Sequence, residues 1–268
     1  MKRARKTAAM VMMVLVAMVT AGCDVLQDHL LYFPDHVRPS AGALTARGLA
    51  FWMASGDDYR GLIVSPEPDA PAGTVIVFHG NAGKAADRGF YAKMLAPLNY
   101  RVILAEYPGY GGRPGGRGED QFVKDARRTV EAAFAEYGPP LFLLGESLGC
   151  GVAAAVAGNS PVPVEGVVLV TPWDTLLSVA GSHAPGFIAR LVLKDRYDSV
   201  VNLASFAGKT AVIGAERDDI IPVGHAEALY DSISGKKRMW TIKGAGHNDW
   251  PMLASHALFR EIMDFVAR

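Results

Sequence analysis

The chain has 268 residues, about half of them hydrophobic, with 27 basic and 27 acidic side chains. That size suits one large domain with a sizeable core better than two small ones. No basic stripe interleaved with aromatics is present, which excludes nucleic acid as a partner, and two cysteines, Cys23 and Cys150, leave no room for a disulfide framework.

The amino terminus differs from the rest. Lys2, Arg3, Arg5 and Lys6 form a basic start without acids, and Ala8 to Ala21 is an apolar stretch of about 14 residues, too short to cross a bilayer as a helix. Residues 1–22 read as an export signal. Its removal takes four positive charges away and leaves the mature chain at about −4. Val19-Thr20-Ala21-Gly22-Cys23 resembles a bacterial lipoprotein signal, with Thr20 where leucine is usual. The resemblance implies cleavage before Cys23, a diacylglycerol on its thiol and the membrane as a partner through that anchor. Asp24 implies retention on the periplasmic face of the inner membrane. The alternative is a plain signal anchor with Cys23 an ordinary residue.

Residues 23–46 read as a tether and entry segment. Its apolar piece Leu30-Leu31-Tyr32-Phe33, broken by Pro34, is expected on the domain edge, with a membrane-facing patch as the alternative. Gly48 to Met53 and Arg60 to Ser65 read as antiparallel strands joined at Gly56-Asp57-Asp58. Thr74 to Phe78 is a β-branched run typical of a strand buried on both faces, and it ends in His79-Gly80-Asn81-Ala82-Gly83. Ala85 to Leu95 has helical character. Arg101 to Ala105 is the next buried strand, followed by Glu106-Tyr107-Pro108-Gly109-Tyr110-Gly111-Gly112. The glycine-rich stretch Gly111 to Gly118 predicts a loop; a phosphate cradle would need a lysine–serine pair after it.

Glu119 to Tyr137 predicts an amphipathic helix with Phe122, Ala126, Val130 and Ala133 on one face. Strands follow at Leu141 to Leu144, Gly166 to Val170, Thr210 to Gly214 and Arg238 to Ile242. Helices are predicted at Leu148 to Ala157, Val223 to Ser232 and, as one terminal element, Pro251 to Ala267. Thr171 to Phe206 interrupts the alternation. Strands alternating with helices imply an α/β fold with a mainly parallel central sheet and helices on both faces. Reactive groups in such sheets sit at the carboxyl ends of the strands.

Gly145-Glu146-Ser147-Leu148-Gly149 lies between a strand and a helix and reads as a sharp turn that exposes the Ser147 hydroxyl. A serine needs a base to take its proton and an acid to orient that base. His247, in Gly244-Ala245-Gly246-His247-Asn248-Asp249 after the last strand, is the expected base. The acid is expected between Glu216 and Pro222, where Asp218, Asp219 and Glu216 compete and one of them has the alternative task of capping the helix that follows. Backbone N–H groups of Leu148 and Asn81 are the expected donors to a developing oxyanion.

The order Ser147, Asp218, His247, together with the segments at His79, Tyr107, Gly145 and Gly246, resembles the alpha/beta-hydrolase superfamily, in its serine-aminopeptidase-like subgroup. The resemblance implies an alpha/beta-hydrolase domain over residues 47–268. It selects Asp218, with Pro222 four residues on, as the triad acid, and makes residues 172–206 a short cap. Pro108 stands where arginine is common. Trp173, Leu176, Leu177, Phe187 and Ile188 are candidates to line the pocket, or to fill the cap's own core.

These readings lead to a membrane-tethered serine hydrolase acting on a small-molecule carboxylic ester, or a thioester, without metal or organic cofactor. An acyltransferase, amidase or peptidase on the same triad is the rival within enzymes. A non-catalytic binding lipoprotein is the rival outside them.

Overall fold

The strand Gly73–Phe78 (β4) is buried at every position and has neighbours on both sides, so the sheet is built outward from it. The computed structural model describes residues 26–54, 56–66, 70–183, 186, 190 and 192–268. The export signal, Cys23, Phe187 and Ile188 lie outside the described residues.

In chain order the strands are Phe33–Pro34 (β1), Ala50–Met53 (β2), Tyr59–Val64 (β3), β4, Ala82–Gly83 (β5), Tyr100–Ala105 (β6), Leu141–Glu146 (β7), Gly166–Val170 (β8), Lys209–Ala215 (β9) and Lys237–Ile242 (β10). Eight form one sheet in the order β10-β9-β8-β7-β4-β6-β3-β2. Neighbours are parallel from β10 to β6, and β3 and β2 continue antiparallel. The short pair β1 and β5 is separate.

Successive strand residues point to opposite faces. Ile76, Phe78, Ile103, Leu143 and Leu169 enter one core, and Val75, Val77, Val102, Leu144 and Val170 enter the other. Helices Glu119–Tyr137 (α4), Leu148–Gly158 (α5) and Val223–Ser232 (α8) cover the first face. Helices Gly89–Leu95 (α3) and His256–Ala267 (α10) cover the second. Each buried Val, Leu or Ile contributes about 1.5–3 kcal/mol, so a two-faced core is the main source of stability.

From β4 the chain moves to β6 on one side, then returns across β4 to β7 and onward to β10. The order therefore reverses between β4 and β7, and a crevice opens outside their carboxyl ends. The loops after both strands meet there.

Among the described residues, further helices are residues 26–31 (α1), Ala41–Thr45 (α2), Leu176–His183 (α6), Ser199–Leu203 (α7) and Trp250–Leu253 (α9), and residues 186, 190 and 192 are also helical. The single terminal helix expected from Pro251 is corrected to two, α9 and α10. Ala254 turns extended, and Ser255 Oγ accepts the Leu258 N–H at 3.1 Å, capping a new helix. The entry segment packs onto the domain from α1 onward. Tyr32 is buried against Phe122, and β1 pairs with β5 beside Asn81.

Candidate active site

Ser147 follows β7 and precedes α5, with φ 52° and ψ −117°. A side-chain-bearing residue reaches that region only under strain, and such outliers mark sites held in place by their surroundings. The surroundings here are close backbones. A Cβ on Gly145 would stand 2.4 Å from Gly149 O, and one on Gly149 would stand 2.0 Å from Phe78 O. Neither position accepts any other residue, so the turn stays tight and the serine is lifted out of it. Ser147 N–H donates to Val170 O at 2.9 Å, which pins the turn to β8.

The structure brings Ser147, His247 and Asp218 together from the ends of β7, β10 and β9. His247 Nε2 lies 3.1 Å from Ser147 Oγ, and His247 Nδ1 lies 2.7 Å from Asp218 Oδ2. A carboxylate only accepts, so Nδ1 carries the proton and Nε2 is left to accept from the Ser147 hydroxyl. Asp218 Oδ1 accepts the N–H groups of Ile220 and Ile221 at 3.0 and 2.7 Å. One oxygen of Asp218 thus holds the histidine and the other fixes the turn, while the helix that follows starts after Pro222 without a side-chain cap. Its competitors are occupied elsewhere. Asp219 is exposed, and Glu216 Oε2 accepts Gly244 N–H at 2.7 Å.

Opposite Ser147 lies the loop after β4. His79 is buried, with Nδ1 2.7 Å from Gly80 O and Nε2 3.1 Å from Glu106 Oε1. Both ring nitrogens are thus engaged by the loop and by Glu106. His79 therefore shapes the loop and does not face Ser147. Asn81 is fixed through its other groups. Its Nδ2 donates to Leu31 O at 2.9 Å, and its carbonyl accepts from Phe33 N–H at 2.9 Å and Tyr110 O–H at 2.7 Å. Leu148 is the first residue of α5, where backbone N–H groups have no acceptor inside the helix.

Sequence reasoning passed over Arg88 and Glu146. Arg88 follows the His79 loop in the 3-10 turn Ala85–Arg88, and Glu146 immediately precedes Ser147. Arg88 Nε and Nη2 reach Glu146 Oε1 at 3.0 and 2.9 Å. Burial pulls the Arg88 guanidinium's pKa down, and the Glu146 carboxylate outweighs it, so the net displacement is upward. The position of Glu146 inside the glycine–serine turn was the available signal.

A second group of the same residue types lies between α6 and α8. Asp174 Oδ1 is 2.9 Å from His225 Nδ1, and Ser182 Oγ is 3.1 Å from His225 Nε2. Ser182 stands in the last turn of α6 and not, like Ser147, at the start of a helix, where backbone N–H groups lack partners. The group joins α6 to α8. His183 Nε2 adds a hydrogen bond to Ile220 O at 2.8 Å, next to the Asp218 turn. Of the pocket candidates, Trp173 and Leu176 are buried in the core of that sheet face, and Trp173 Nε1–H donates to Tyr197 O at 3.0 Å. Leu177 is half-buried. Cys150 is buried at the start of α5 and its thiol faces Gly145 O and Val170 O.

A family model described as serine aminopeptidase, S33, matches residues 69–198. The uncharacterized protein Rv2307c of Mycobacterium tuberculosis is 32% identical over 276 positions, covering 99% of this chain and 96% of that protein. The lysophosphatidylserine lipase ABHD12 of Danio rerio is 28% identical over 184 positions, covering 62% of this chain and 48% of that protein. Among solved structures, the Pyrococcus furiosus esterase Pf2001 superposes with a TM-score of 0.71 at 14% identity, over 89% of this chain and 99% of that one. A monoacylglycerol lipase of Paleococcus ferrophilus gives 0.54 at 18% identity, over 76% and 95%. At these identities the structures speak for the fold alone.

Proposed function

This chain belongs to the alpha/beta-hydrolase superfamily and is a hydrolase, and from that premise we propose that it cleaves carboxylic esters through Ser147, His247 and Asp218. The observation that carries the reading is the unbroken line from Asp218 Oδ2 through the His247 ring to Ser147 Oγ, with contacts of 2.7 and 3.1 Å.

In this mechanism Ser147 Oγ attacks the ester carbonyl carbon as its proton passes to His247 Nε2. The carbonyl oxygen becomes an oxyanion and accepts the backbone N–H groups of Leu148 and Asn81. A missing donor of this kind costs on the order of 3 kcal/mol of barrier. Asp218 holds the imidazole in its reactive tautomer and offsets the charge it gains. Collapse of the intermediate breaks the bond to the alcohol oxygen, and His247 returns the proton to that leaving group. Water then attacks the acyl-enzyme, gives its proton to His247, and releases the carboxylic acid and free Ser147. No step draws on a metal or an organic cofactor. A thioester fits the same steps with a thiol leaving.

The basic start, the apolar stretch and Cys23 support attachment of the mature chain to the membrane through a lipid on that cysteine, facing the periplasm. Mass spectrometry of the membrane-extracted protein tests this part. A diacylglyceryl adduct on Cys23 is the expected result, and an unmodified Cys23 in an extracted, folded chain overturns it.

The chemistry is tested with a fluorophosphonate probe, which labels only an activated serine. Labelling of the parent that is absent in Ser147→Ala and much weaker in His247→Ala is the expected pattern. A folded parent that stays unlabelled and turns over no p-nitrophenyl ester removes the hydrolytic mechanism. Release of acyl product to added alcohol in preference to water assigns the triad to acyl transfer instead.

A further inference from the structure

Helix α1 packs Leu31 against the core but turns its two other described leucines outward. It buries Gln27 and leaves Leu26 at 46% and Leu30 at 62% exposure. A surface helix normally turns its leucines inward. Here the inward face is committed to polar contacts. Gln27 Nε2 donates to Asp195 Oδ2 at 2.8 Å, and Gln27 Oε1 accepts the Asp195 N–H at 2.9 Å. Asp28 is ion-paired with Arg117, and Tyr32 O–H donates to Asp195. With those bonds made, Leu26 and Leu30 are held on the outer face. Phe33, at 51%, and Val37, at 67%, continue the exposed face.

The location of this face is specific. Among the described residues the other exposed large hydrophobics are Val201, Ile220, Met252 and Leu253. Ile220 lies in the Asp218 turn after β9, and Met252 and Leu253 lie in α9, just past the His247 loop. Phe33 is bonded to Asn81 in the loop after β4. Ile220, Met252 and Leu253 therefore stand on segments leaving the carboxyl edge of the sheet, and the entry segment is bonded to loops at that edge, Phe33 to Asn81, Val37 O to Lys84 and Asp28 to Arg117. Val201 sits on α7, against the far end of α5.

We propose that this apolar rim docks on a phospholipid bilayer and sets the mouth of the active site against the membrane surface, so that the ester is drawn from the lipid phase. The occupant follows from the chain itself. Leu26 is three residues from Cys23, which at full extension is about 10 Å, and five from the end of the apolar stretch Ala8 to Ala21. A chain held at either place brings α1 to the headgroups. There the exposed leucines and phenylalanine leave water for the acyl boundary, as on other interfacial helices. The substrate part of the proposal rests on the esterase reading; the docking part does not.

The test uses the full chain reconstituted in phosphatidylcholine vesicles. Leu30→Trp adds a fluorophore to the rim, and Val201→Trp adds one away from it. Lipids brominated on their acyl chains should quench the added Leu30→Trp emission about twofold and leave that of Val201→Trp unchanged. Equal quenching at both sites, or none at Leu30→Trp, overturns docking. In the double variant Leu26→Glu, Leu30→Glu, turnover of p-nitrophenyl palmitate dissolved in the vesicles should fall about tenfold, with p-nitrophenyl acetate in water within about twofold of the parent. Loss of both activities assigns the two leucines to folding and overturns the proposal. A parent dimer that the double variant abolishes gives the face to a second copy and also overturns it. If the parent cleaves neither ester, the esterase reading falls and the quenching alone decides the docking.

Discussion

Arg88 and Glu146 tie the two halves of the candidate active site together. Arg88 follows the loop after β4, Glu146 ends β7, and two nitrogens of the guanidinium meet one carboxylate oxygen at 3.0 and 2.9 Å. The pair packs against Gly80, where an added Cβ would stand 3.4 Å from both Arg88 Nη2 and Glu146 Oε1. The link spans the point where the strand order reverses. It holds the segment bearing Asn81 at a set distance from the turn bearing Ser147.

Removing one partner of this part-buried pair leaves a charge with no counter-ion. Arg88→Met should therefore lower unfolding free energy in a urea titration, by less than the about 3–5 kcal/mol lost when a fully buried pair is broken. Arg88→Lys should recover part of that loss, because lysine keeps the charge but not the two-pronged geometry. If the link also sets the distance between Asn81 and Ser147, kcat should fall further than KM rises in Arg88→Lys. A drop in stability with unchanged kcat in the folded fraction would confine the pair to folding.

Asp218→Asn separates the two tasks of that carboxylate. The amide oxygen can still accept from Ile220 and Ile221 N–H, so the turn should hold and the melting temperature should change little. The amide NH2 then faces His247 Nδ1 and favours the wrong tautomer. Ester turnover should fall on the order of 10⁴-fold, as it does when a triad aspartate is made asparagine. A fall below about tenfold would show that Asp218 is not the orienting acid.

Gly149→Ala and Gly181→Ala should have opposite signs. The first places a Cβ 2.0 Å from Phe78 O, a collision between backbones that neither strand nor helix can relieve. Soluble expression should be lost. The second meets nothing within 4 Å inside α6. It should stabilise α6 by about 0.8–1 kcal/mol at most, the difference between glycine and alanine in a helix. Soluble yield checks the first variant, and differential scanning calorimetry checks the second.

His225→Ala removes the ring shared by Asp174 and Ser182. Amide exchange over Leu176–His183 should accelerate, while exchange in β4 and β7 stays at the parent rate. Fluorophosphonate labelling of Ser147 should survive, because His225 is not in the line from Asp218 to Ser147. Loss of labelling would give the second histidine a part in the chemistry.

Cys150 should be chemically silent in the folded protein. Burial pushes its thiol well above the ordinary range. Iodoacetamide at about pH 9 should modify it only after denaturant is added, because the thiolate is the reacting form. The sign for stability follows. The neutral thiol suits the core, so its contribution is intact below the ordinary thiol range and is lost as pH rises through the higher folded value. Rapid modification of native protein would show that α5 opens.

Much of this architecture was legible because its signals are local. A parallel strand buried on both faces must be a continuous apolar run, and Thr74 to Phe78, Leu141 to Leu144 and Gly166 to Val170 are such runs. The turn at Ser147 advertises itself through Gly145 and Gly149, whose missing side chains answer to neighbours a few residues away. The break between α9 and α10 was available in Ser255, a helix-capping residue standing just before Leu258 and Phe259, but the apolar period on either side runs through it unbroken.

What the sequence by itself determined is the layered α/β plan and the identity of the residues at the strand ends, since both depend on side-chain periodicity and on short turns. Only the tertiary structure decided how distant groups share their bonds. Asp218, and not Asp219 or Glu216, lies within reach of His247. Gln27 is buried because Asp195, 168 positions away in the chain, stands beside it. Arg88 meets Glu146 across a strand-order reversal. The physical reason is the same in each case: a buried polar group must find its partner in space, and the partner's place in the chain leaves no periodic mark.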